Sequence, residues 1–293
     1  MDNCPFIDLH VHSNCSDGKK SVEEILQSCA DNNIGTIAFA EHYNMGSYRK
    51  ARKLAEPYGI EVIPAIEIGA SLSEFGFSNH HICHIVAYYP SYKICKILDE
   101  YELSRDKCVR HTLEKLNKII SISYTQVKRF ARDKNSIGRF DVAIALAKLG
   151  YSKDPITAYG DYLDYGKTAY VTREKEQATS LIRKILDLGG IPVLVHPKSL
   201  KLGFQTQYDI MEQFKNAGLC GIEVYNPHHT EEQTLFFKEL ADEFQLLYTA
   251  GSDYHGKSTD NIEVGLGIDG NLKISDYSII TKLKQKKHEL SLK

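Results

Sequence analysis

The sequence contains no tryptophan, only three methionines and eight prolines in 293 residues, and no apolar run approaching the ~20 residues that span a bilayer. No membrane attachment is expected. The N-terminus, Met1-Asp2-Asn3-Cys4-Pro5, lacks the basic-then-apolar layout of a secretory signal, so the expected location is cytoplasmic. Charge of one sign is also lacking: 36 Lys and Arg against 38 Asp and Glu leave a formal charge of -2. No long nucleic acid or anionic membrane is held by so balanced a surface, and any polyanionic group needs a local site. Paired cysteines are absent too. The seven, at 4, 15, 29, 83, 95, 108 and 220, are odd in number, dispersed and without a Cys-x-x-Cys. That argues against a disulfide framework, a structural zinc cluster and a redox motif, and reads as reduced thiols, mostly small core residues. What remains, 42% hydrophobic and 25% charged with no repeat or low-complexity tract, is an ordinary globular chain able to bury a sizeable core.

Short β-branched runs alternate with amphipathic stretches, the pattern of an α/β fold in which helices join strands of a parallel sheet, closed as a barrel or open. The predicted strands are Pro5 to His10, Gly35 to Ala40, Ile60 to Ile66, Ile82 to Tyr88, Ile191 to Val195, Gly221 to Tyr225 and Leu246 to Ala250. Ser21-Val22-Glu23-Glu24 opens a helix over Ser21 to Asn32 with a capping-box pattern. The alternation stops between residues 91 and 170, where charge-rich helical segments (Lys93 to Ile120, Tyr124 to Lys134, Arg139 to Leu149) carry no strand pattern. The chain is thus expected to divide into residues 1–90 with 171–293, and a helical insertion of residues 91–170. A helix from Arg173 is expected to end at Gly189-Gly190, after which the strand–helix rhythm resumes.

The chemistry sits where strands end. Ile7-Asp8-Leu9 runs into His10 and His12, Thr36 to Ala40 into Glu41 and His42, Val62 to Ile66 into Glu67, Pro192 to Val195 into His196, and Tyr248 to Gly251 into Asp253 and His255. In a parallel α/β barrel such ends open on one face, so these groups would converge though far apart in sequence. His10 and His12, two apart on a strand, point to the same side and can share one ion, and Asp253 with His255 repeats the spacing. His84 interrupts the apolar run Ile82-Cys83-His84-Ile85-Val86. A single strand histidine is most often a hydrogen-bonded core residue, but five strand ends bearing His, Glu or Asp need a common cause. Imidazole with carboxylate suits Zn, Mn or Fe, whereas Ca takes an all-oxygen shell. His80 and His81 read as loop residues without a metal role, and His111 and His288, in charged helical segments, as exposed.

These residues resemble the PHP (polymerase and histidinol phosphatase) superfamily. Asp8-Leu9-His10-Val11-His12-Ser13 followed by Cys15-Ser16-Asp17-Gly18 is similar to its first motif. Ala40-Glu41-His42, Pro64-Ala65-Ile66-Glu67, Leu194-Val195-His196-Pro197 and Gly251-Ser252-Asp253-Tyr254-His255 follow its later ones in order. Gly138-Arg139 entering a helix, Tyr170-Val171, Gly189-Gly190 and Gly221-Ile222-Glu223-Val224-Tyr225 resemble the nucleoside 3',5'-bisphosphate phosphatase and RNA-trimming branch. The resemblance implies a distorted (β/α)7-type barrel and three divalent ions (Mn, Fe or Zn). One would take His10, His12, Glu67 and Asp253; a second would share Glu67 with His84 and His196; the third would take Asp17, His42 and His255. Asp17, His42, Glu67 and Asp253 carry the catalytic role in that scheme. Three positions depart from the family pattern: Glu41 replaces an aspartate, and Asp141 and Asn226 each replace a histidine where substrate would be contacted.

A phosphate ester resists attack because its oxygens repel hydroxide and its leaving alkoxide is poor. Clustered divalent ions answer both difficulties, since they acidify bound water and neutralise the charge of an in-line displacement. The expected activity is therefore a trinuclear-metal-dependent phosphoesterase in which hydroxide attacks a phosphomonoester of a nucleotide, either a nucleoside 3',5'-bisphosphate or the 5'-end of a short RNA. Arg139 and Lys198 are expected to grip phosphate, the first bidentately and the second as a point charge. His229 is expected to contact substrate, although His228 and His229 could instead cap the helix that begins near Thr230. The alternatives are a histidinol-phosphate phosphatase and a noncatalytic nucleotide-binding module. A C–N hydrolase of the amidohydrolase type also uses His-x-His, but Asp17, His42 and His255 would be superfluous there.

Overall fold

The computed structural model describes residues 5–78, 81–131, 137–173, 175–257 and 261–292, so Cys4, His80 and Lys134 lie outside the described residues. The chain forms two compact units, Met1–Ile94 with Lys175–Lys293, and Cys95–Glu174. Its main sheet is built from β1 (Phe6–Val11), β2 (Ile34–Phe39), β3 (Glu61–Ser71), β4 (Ile82–Tyr88), β5 (Ile191–Val195), β6 (Gly221–Tyr225) and β7 (Leu247–Ala250), with spatial order equal to chain order. The helices are α1 (Val22–Asp31), α2 (Gly46–Leu54), α3 (Cys95–Leu116), α4 (Tyr124–Phe130), α5 (Arg139–Lys148), α6 (Pro155–Ala158), α7 (Ala178–Asp187), α8 (Phe204–Ala217), α9 (Glu231–Glu243) and α10 (Ser278–Ser291). Helices α3 to α6 belong to the second unit. Among the described residues no helix is long and apolar enough to cross a membrane.

In the first unit the two outer strands of the sheet meet at one end. The Asp253 amide donates to the His10 carbonyl and the His12 amide to the Tyr254 carbonyl, each at 2.9 Å, so the residues after β7 pair with β1. This is the distorted seven-stranded barrel expected above. One strand runs against expectation: β4 is antiparallel to both β3 and β5, whereas the sequence pattern implied a parallel sheet. The reason is the link from β3 to β4, residues 72–81, which holds a short 3-10 turn and is too short for a crossover helix. The reversal sets the start of β4, rather than its end, beside the ends of its neighbours, with His84 opposite Gly69 on one side and Val195 on the other. Strand β3 is also longer than expected. Glu67 is an interior residue of it, paired with Val86, because β3 changes partner from β2 to β4 after Pro64.

Helix boundaries follow local chemistry. Ser21 caps α1, accepting from the Glu24 amide while the Glu24 carboxylate accepts from the Ser21 amide at 2.8 Å. The helix then buries Val22, Ile25, Leu26 and Cys29, and burying each large aliphatic side chain contributes roughly 1.5–3 kcal/mol. The helix expected from Arg173 begins only at Ala178, because the preceding residues are drawn into an extended pairing in which the Ser71 amide donates to the Glu176 carbonyl at 2.8 Å. In the second unit α3, α4 and α5 close over Val109, Leu113, Leu116, Val127, Val142 and Leu146. Helix α4 stops at Phe130, where Ala131 turns extended, short of the predicted run to Lys134.

Candidate metal centre

Nine donor side chains from the loops and strands at one end of the first unit converge into four overlapping groups, each with its donor atoms within 4.8 Å of one another. His12, Asp17, His42 and His255 form one group; His10, His196 and Asp253 another; His10, His12 and Glu67 a third; Glu67, His84 and His196 the fourth. Glu67 is the hub. Its Oε1 lies 3.0 Å from His196 Nε2, 3.1 Å from His84 Nδ1 and 3.5 Å from His10 Nε2, while Oε2 lies 2.9 Å from His42 Nδ1 and 3.3 Å from His12 Nε2. The grouping differs in two respects from the one implied by the resemblance. His196 falls with His10 and Asp253 as well as with Glu67 and His84. His12 stands between two groups, with Nε2 3.3 Å from Asp253 and Nδ1 3.7 Å from Asp17.

The donor set fits divalent ions. Glu67 Oε2 and His12 Nδ1 are buried, yet neither makes a hydrogen bond, although His42 Nδ1 lies 2.9 Å from the first and Asp17 Oδ1 3.7 Å from the second. Buried polar atoms that aim at a shared point rather than at a partner are costly unless an ion occupies that point. The Nε2 atoms of His10 and His12 likewise face each other at 3.2 Å. Backbone and carboxylate acceptors set the outward nitrogens: His10 Nδ1 donates to Glu223 Oε1 at 3.0 Å and His255 Nδ1 to the Asp253 carbonyl at 2.7 Å, which frees each Nε2 for the centre.

Burial resists charge on all these groups, and the neighbours decide the result. Burial pushes the His12 imidazole down to about 4, so its ring is neutral. For His42 burial also pulls down, but Glu67 and Asp17 outweigh it and raise the group to about 9. Burial pushes the Glu67 carboxyl up, and His42, His84 and His10 overcome that and hold it well below the ordinary range. Asp253 is held down against burial by His10 and His12 in the same manner. The carboxylates are thus ionised, and the protons carried by the raised histidines are those a divalent cation would displace.

The sequence-predicted substrate residues divide between the units. A cavity of about 540 Å³ lies over the centre, lined by His42, Glu67, His84, His196, Asp253 and His255 together with Ile82, Lys198, Ser199, Lys201, Asn226, His228 and His229. Lys198 Nζ donates to the His228 carbonyl. His229 Nδ1 must carry the proton, because it donates to the Val224 carbonyl at 3.0 Å, which leaves a buried, unpartnered Nε2 as an acceptor. That tautomer suits a bond from a substrate hydroxyl better than proton donation. Neither His228 nor His229 caps α9; Thr230 does, in a capping box with Gln233. Arg139 stands in the second unit, its guanidinium 5.0 Å above the Tyr170 ring. Asp141, one of the departures from the family pattern, accepts from the Gly138 amide at 2.8 Å with Oδ2 and so closes the first turn of α5. His111 and His288 are exposed, on α3 and α10, and the His81 ring donates to the Leu200 carbonyl at 2.6 Å.

Sequence reasoning missed the supporting residues. Glu223, fully buried on β6, holds His10 with Oε1 and accepts from the His196 amide (2.8 Å) and from Asn226 Nδ2 (3.0 Å) with Oε2. The signal was present, since an acid inside Gly221-Ile222-Glu223-Val224-Tyr225 is as anomalous as His84 in its own strand. Asp8 accepts from the Ser252 amide at 2.9 Å and the Gly265 amide at 2.7 Å, which fixes the segment carrying Asp253. Glu41, noted only as a departure, accepts from the Ser13 amide at 3.0 Å and from both the Ser13 and Ser16 hydroxyls, pinning the loop that carries Asp17. Gly251 is required by packing: a Cβ there would meet His10 Cβ at 2.2 Å and Glu223 Oε1 at 2.6 Å.

Comparison with known proteins gives the same direction. Residues 8–192 match the family model of the PHP domain. A phosphoribosyl 1,2-cyclic phosphate 1,2-diphosphodiesterase of Eggerthella lenta is 28% identical over 255 residues, covering 85% of this chain and 94% of that protein. A 3',5'-nucleoside bisphosphate phosphatase of Chromobacterium violaceum is 27% identical over 265 residues (88% and 90%), and a 5'-3' exoribonuclease of Haemophilus influenzae 27% identical over 249 (85% and 89%). Among solved structures, an amidohydrolase from Chromobacterium violaceum with bound sulfate and no metal superposes with a TM-score of 0.71 at 24% identity, over 94% of this chain and 96% of that one.

Proposed function

Because the chain belongs to the PHP domain family, we propose that it is a metal-dependent phosphoesterase that hydrolyses a phosphomonoester of a nucleotide, a nucleoside 3',5'-bisphosphate or the 5'-end of a short RNA. The observation that carries this reading is the convergence of nine His, Asp and Glu donors around Glu67, with buried donor atoms left unpaired at the centre. His10, His12, Asp17, His42, Glu67, His84, His196, Asp253 and His255 would hold up to three ions, of Mn, Fe or Zn. Such ions, when bound, supply an acidified water and positive charge against the phosphoryl oxygens.

The chain's own residues do the rest. Glu223 and the Asp253 carbonyl keep His10 and His255 in the tautomer that presents Nε2. Glu67 and Asp253 remain ionised and anchor the centre. Lys198, held in place by the His228 carbonyl, offers its remaining N–H groups to a phosphate at the cavity wall. His229 Nε2 accepts from a substrate hydroxyl, and Asn226, one of the departures from the family pattern, lines the same wall. The helical insertion expected over residues 91–170, found as the unit Cys95–Glu174, would contribute Arg139 to substrate binding in this proposal. Catalysis is therefore positioning and electrostatics, with no covalent enzyme intermediate.

The test is release of inorganic phosphate from adenosine 3',5'-bisphosphate, AMP, histidinol phosphate, a ribose cyclic phosphate and a short 5'-phosphorylated RNA, with added Mn and a His12→Ala control. Turnover of a nucleotide member, lost in the control, is the expected result. Metal-loaded protein inert to the whole panel would sink the proposal.

A further inference from the structure

Strand β3 loses its neighbour just before the donors begin. It pairs with β2 only as far as Pro64, opposite Phe39, yet it runs on to Ser71 and carries Glu67 on the way. Along this edge the backbone groups of residues 67, 69 and 71 need partners from elsewhere. Glu67 finds them in backbone: its amide donates to the Glu41 carbonyl at 3.0 Å, and its carbonyl accepts from the Tyr43 amide at 3.1 Å. The Ser71 amide finds the Glu176 carbonyl at 2.8 Å. Gly69, between them, is served by a side chain. The Tyr43 hydroxyl accepts from the Gly69 amide at 2.9 Å and donates to the Gly69 carbonyl at 3.0 Å, so one phenol stands in for a missing residue of strand.

The phenol does more than fill the strand edge. Tyr43 has a left-handed backbone, φ 52°, a conformation unfavourable for a bulky residue and kept only where the surroundings enforce it. From that turn, directly after His42, its ring reaches Gly69 on β3. Gly69 in turn lies opposite His84 in the β3–β4 register, and its missing side chain leaves room for that ring: a Cβ there would come 3.1 Å from His84 Cδ2 and 3.3 Å from His84 Nε2. Tyr43 therefore links the neighbour of one donor to the backbone against which another rests. Glu67 joins the same two donors, its Oε2 2.9 Å from His42 Nδ1 and its Oε1 3.1 Å from His84 Nδ1.

We infer that Tyr43 is a positioning residue whose hydroxyl fixes the spacing between two donor groups, His12, Asp17, His42 and His255 on one side and Glu67, His84 and His196 on the other. It acts through Gly69 and through its peptide link to His42. The kinetic part of this inference rests on the proposed phosphoesterase activity, since a displacement shared between the two groups depends on their separation. The structural part stands without it.

The test compares the full chain with Tyr43→Phe, which removes only the hydroxyl, and with Tyr43→Gly, which removes it while suiting the left-handed backbone. Three quantities are read: kcat and KM for the ester that the unaltered protein turns over, the coupling between bound Mn ions by electron paramagnetic resonance, and the urea midpoint of metal-free protein. Both variants are expected to lose kcat ~10-fold or more with KM changed less than ~3-fold, and to show an altered Mn coupling. Unchanged kcat and coupling in both variants, whatever the urea midpoint, would overturn the inference and leave the hydroxyl a contributor to stability alone. A rise in KM with the coupling unchanged would also overturn it, by placing the phenol against substrate. So would a Tyr43→Gly protein that behaves as the unaltered one, since it too lacks the hydroxyl. If the unaltered protein releases phosphate from nothing, the activity fails and the Mn coupling decides Tyr43 on its own: a spectrum altered in both variants supports the inference, and an unaltered one refutes it.

Discussion

His10 donates from Nδ1 to the carboxylate of Glu223, 3.0 Å away and 213 residues on in the chain, with both side chains fully buried. The bond turns the other nitrogen of the ring into the centre, and the second oxygen of Glu223 receives the His196 amide and Asn226 Nδ2. One carboxylate thus orients a ligand from β1 and places another that follows β5. Glu223→Gln keeps the shape but puts an NH2 group against those two donors or against His10. Metal retention after dialysis, read by elemental analysis, is expected to fall roughly 10- to 100-fold in affinity, with activity following. Unchanged metal content would show that Glu223 only packs.

Glu41 acts on a different part of the centre. Its carboxylate gathers the Ser13 amide and the Ser13 and Ser16 hydroxyls, so the Asp17 loop depends on it. Glu41→Ala leaves a buried amide unpaired, at a cost of about 1–3 kcal/mol. Ser16→Ala is the milder version. Both are expected to lower the metal bound by His12, Asp17, His42 and His255 before that held by Glu67, His84 and His196. Metal stoichiometry measured across a chelator titration checks the order of loss.

Asp8 gives the metal-free protein a pH signature. Burial raises its carboxyl from 3.8 to about 6, against the bonds it accepts from Ser252, Gly265 and His10. Since the folded value exceeds the unfolded one, the stabilisation is full below pH 3.8 and is lost as pH rises through 6, a change of about 3 kcal/mol. The stability difference between wild type and Asp8→Asn, from urea melts of metal-free protein, should therefore shrink by that order between pH 4 and 7. A difference independent of pH would contradict the assignment.

Thiol reactivity should sort by burial. Burial pushes the Cys83 thiol up to about 12 and Cys29 higher still, whereas Cys95 is exposed and Cys15 half-buried. In native protein at pH 8, an aromatic disulfide reagent is expected to label Cys95 and Cys15 and to spare Cys29 and Cys83 until denaturant is added. Mass mapping of the labelled peptides reads the outcome, and native labelling of Cys83 would mean that β4 opens.

Much of the centre was legible because its residues stand at anomalous places in simple patterns. His10 and His12 follow an apolar strand run, and His84 breaks one. The same logic would have found Glu223, but an acid in a strand names no partner, and its partners lie on β1 and after β5. In the sequence Asp141 reads only as a departure from the family pattern; its role in closing the first turn of α5, through the 2.8 Å bond from the Gly138 amide, shows only in the structure.

By itself the sequence determined the order of strands and helices, the α1 cap and the metal-type donors, because these follow from side-chain periodicity and from bonds within a few residues. Tertiary structure alone decided the direction of β4, the span of β3 through Glu67, the sharing of His12 between two groups of donors and the roles of Glu223, Glu41 and Asp8. Those depend on which strands pair and on contacts spanning up to 257 residues, as between Asp8 and Gly265. No local preference of a residue encodes such a contact; it exists only once the sheet has closed and burial has made an unpaired charge too costly to leave.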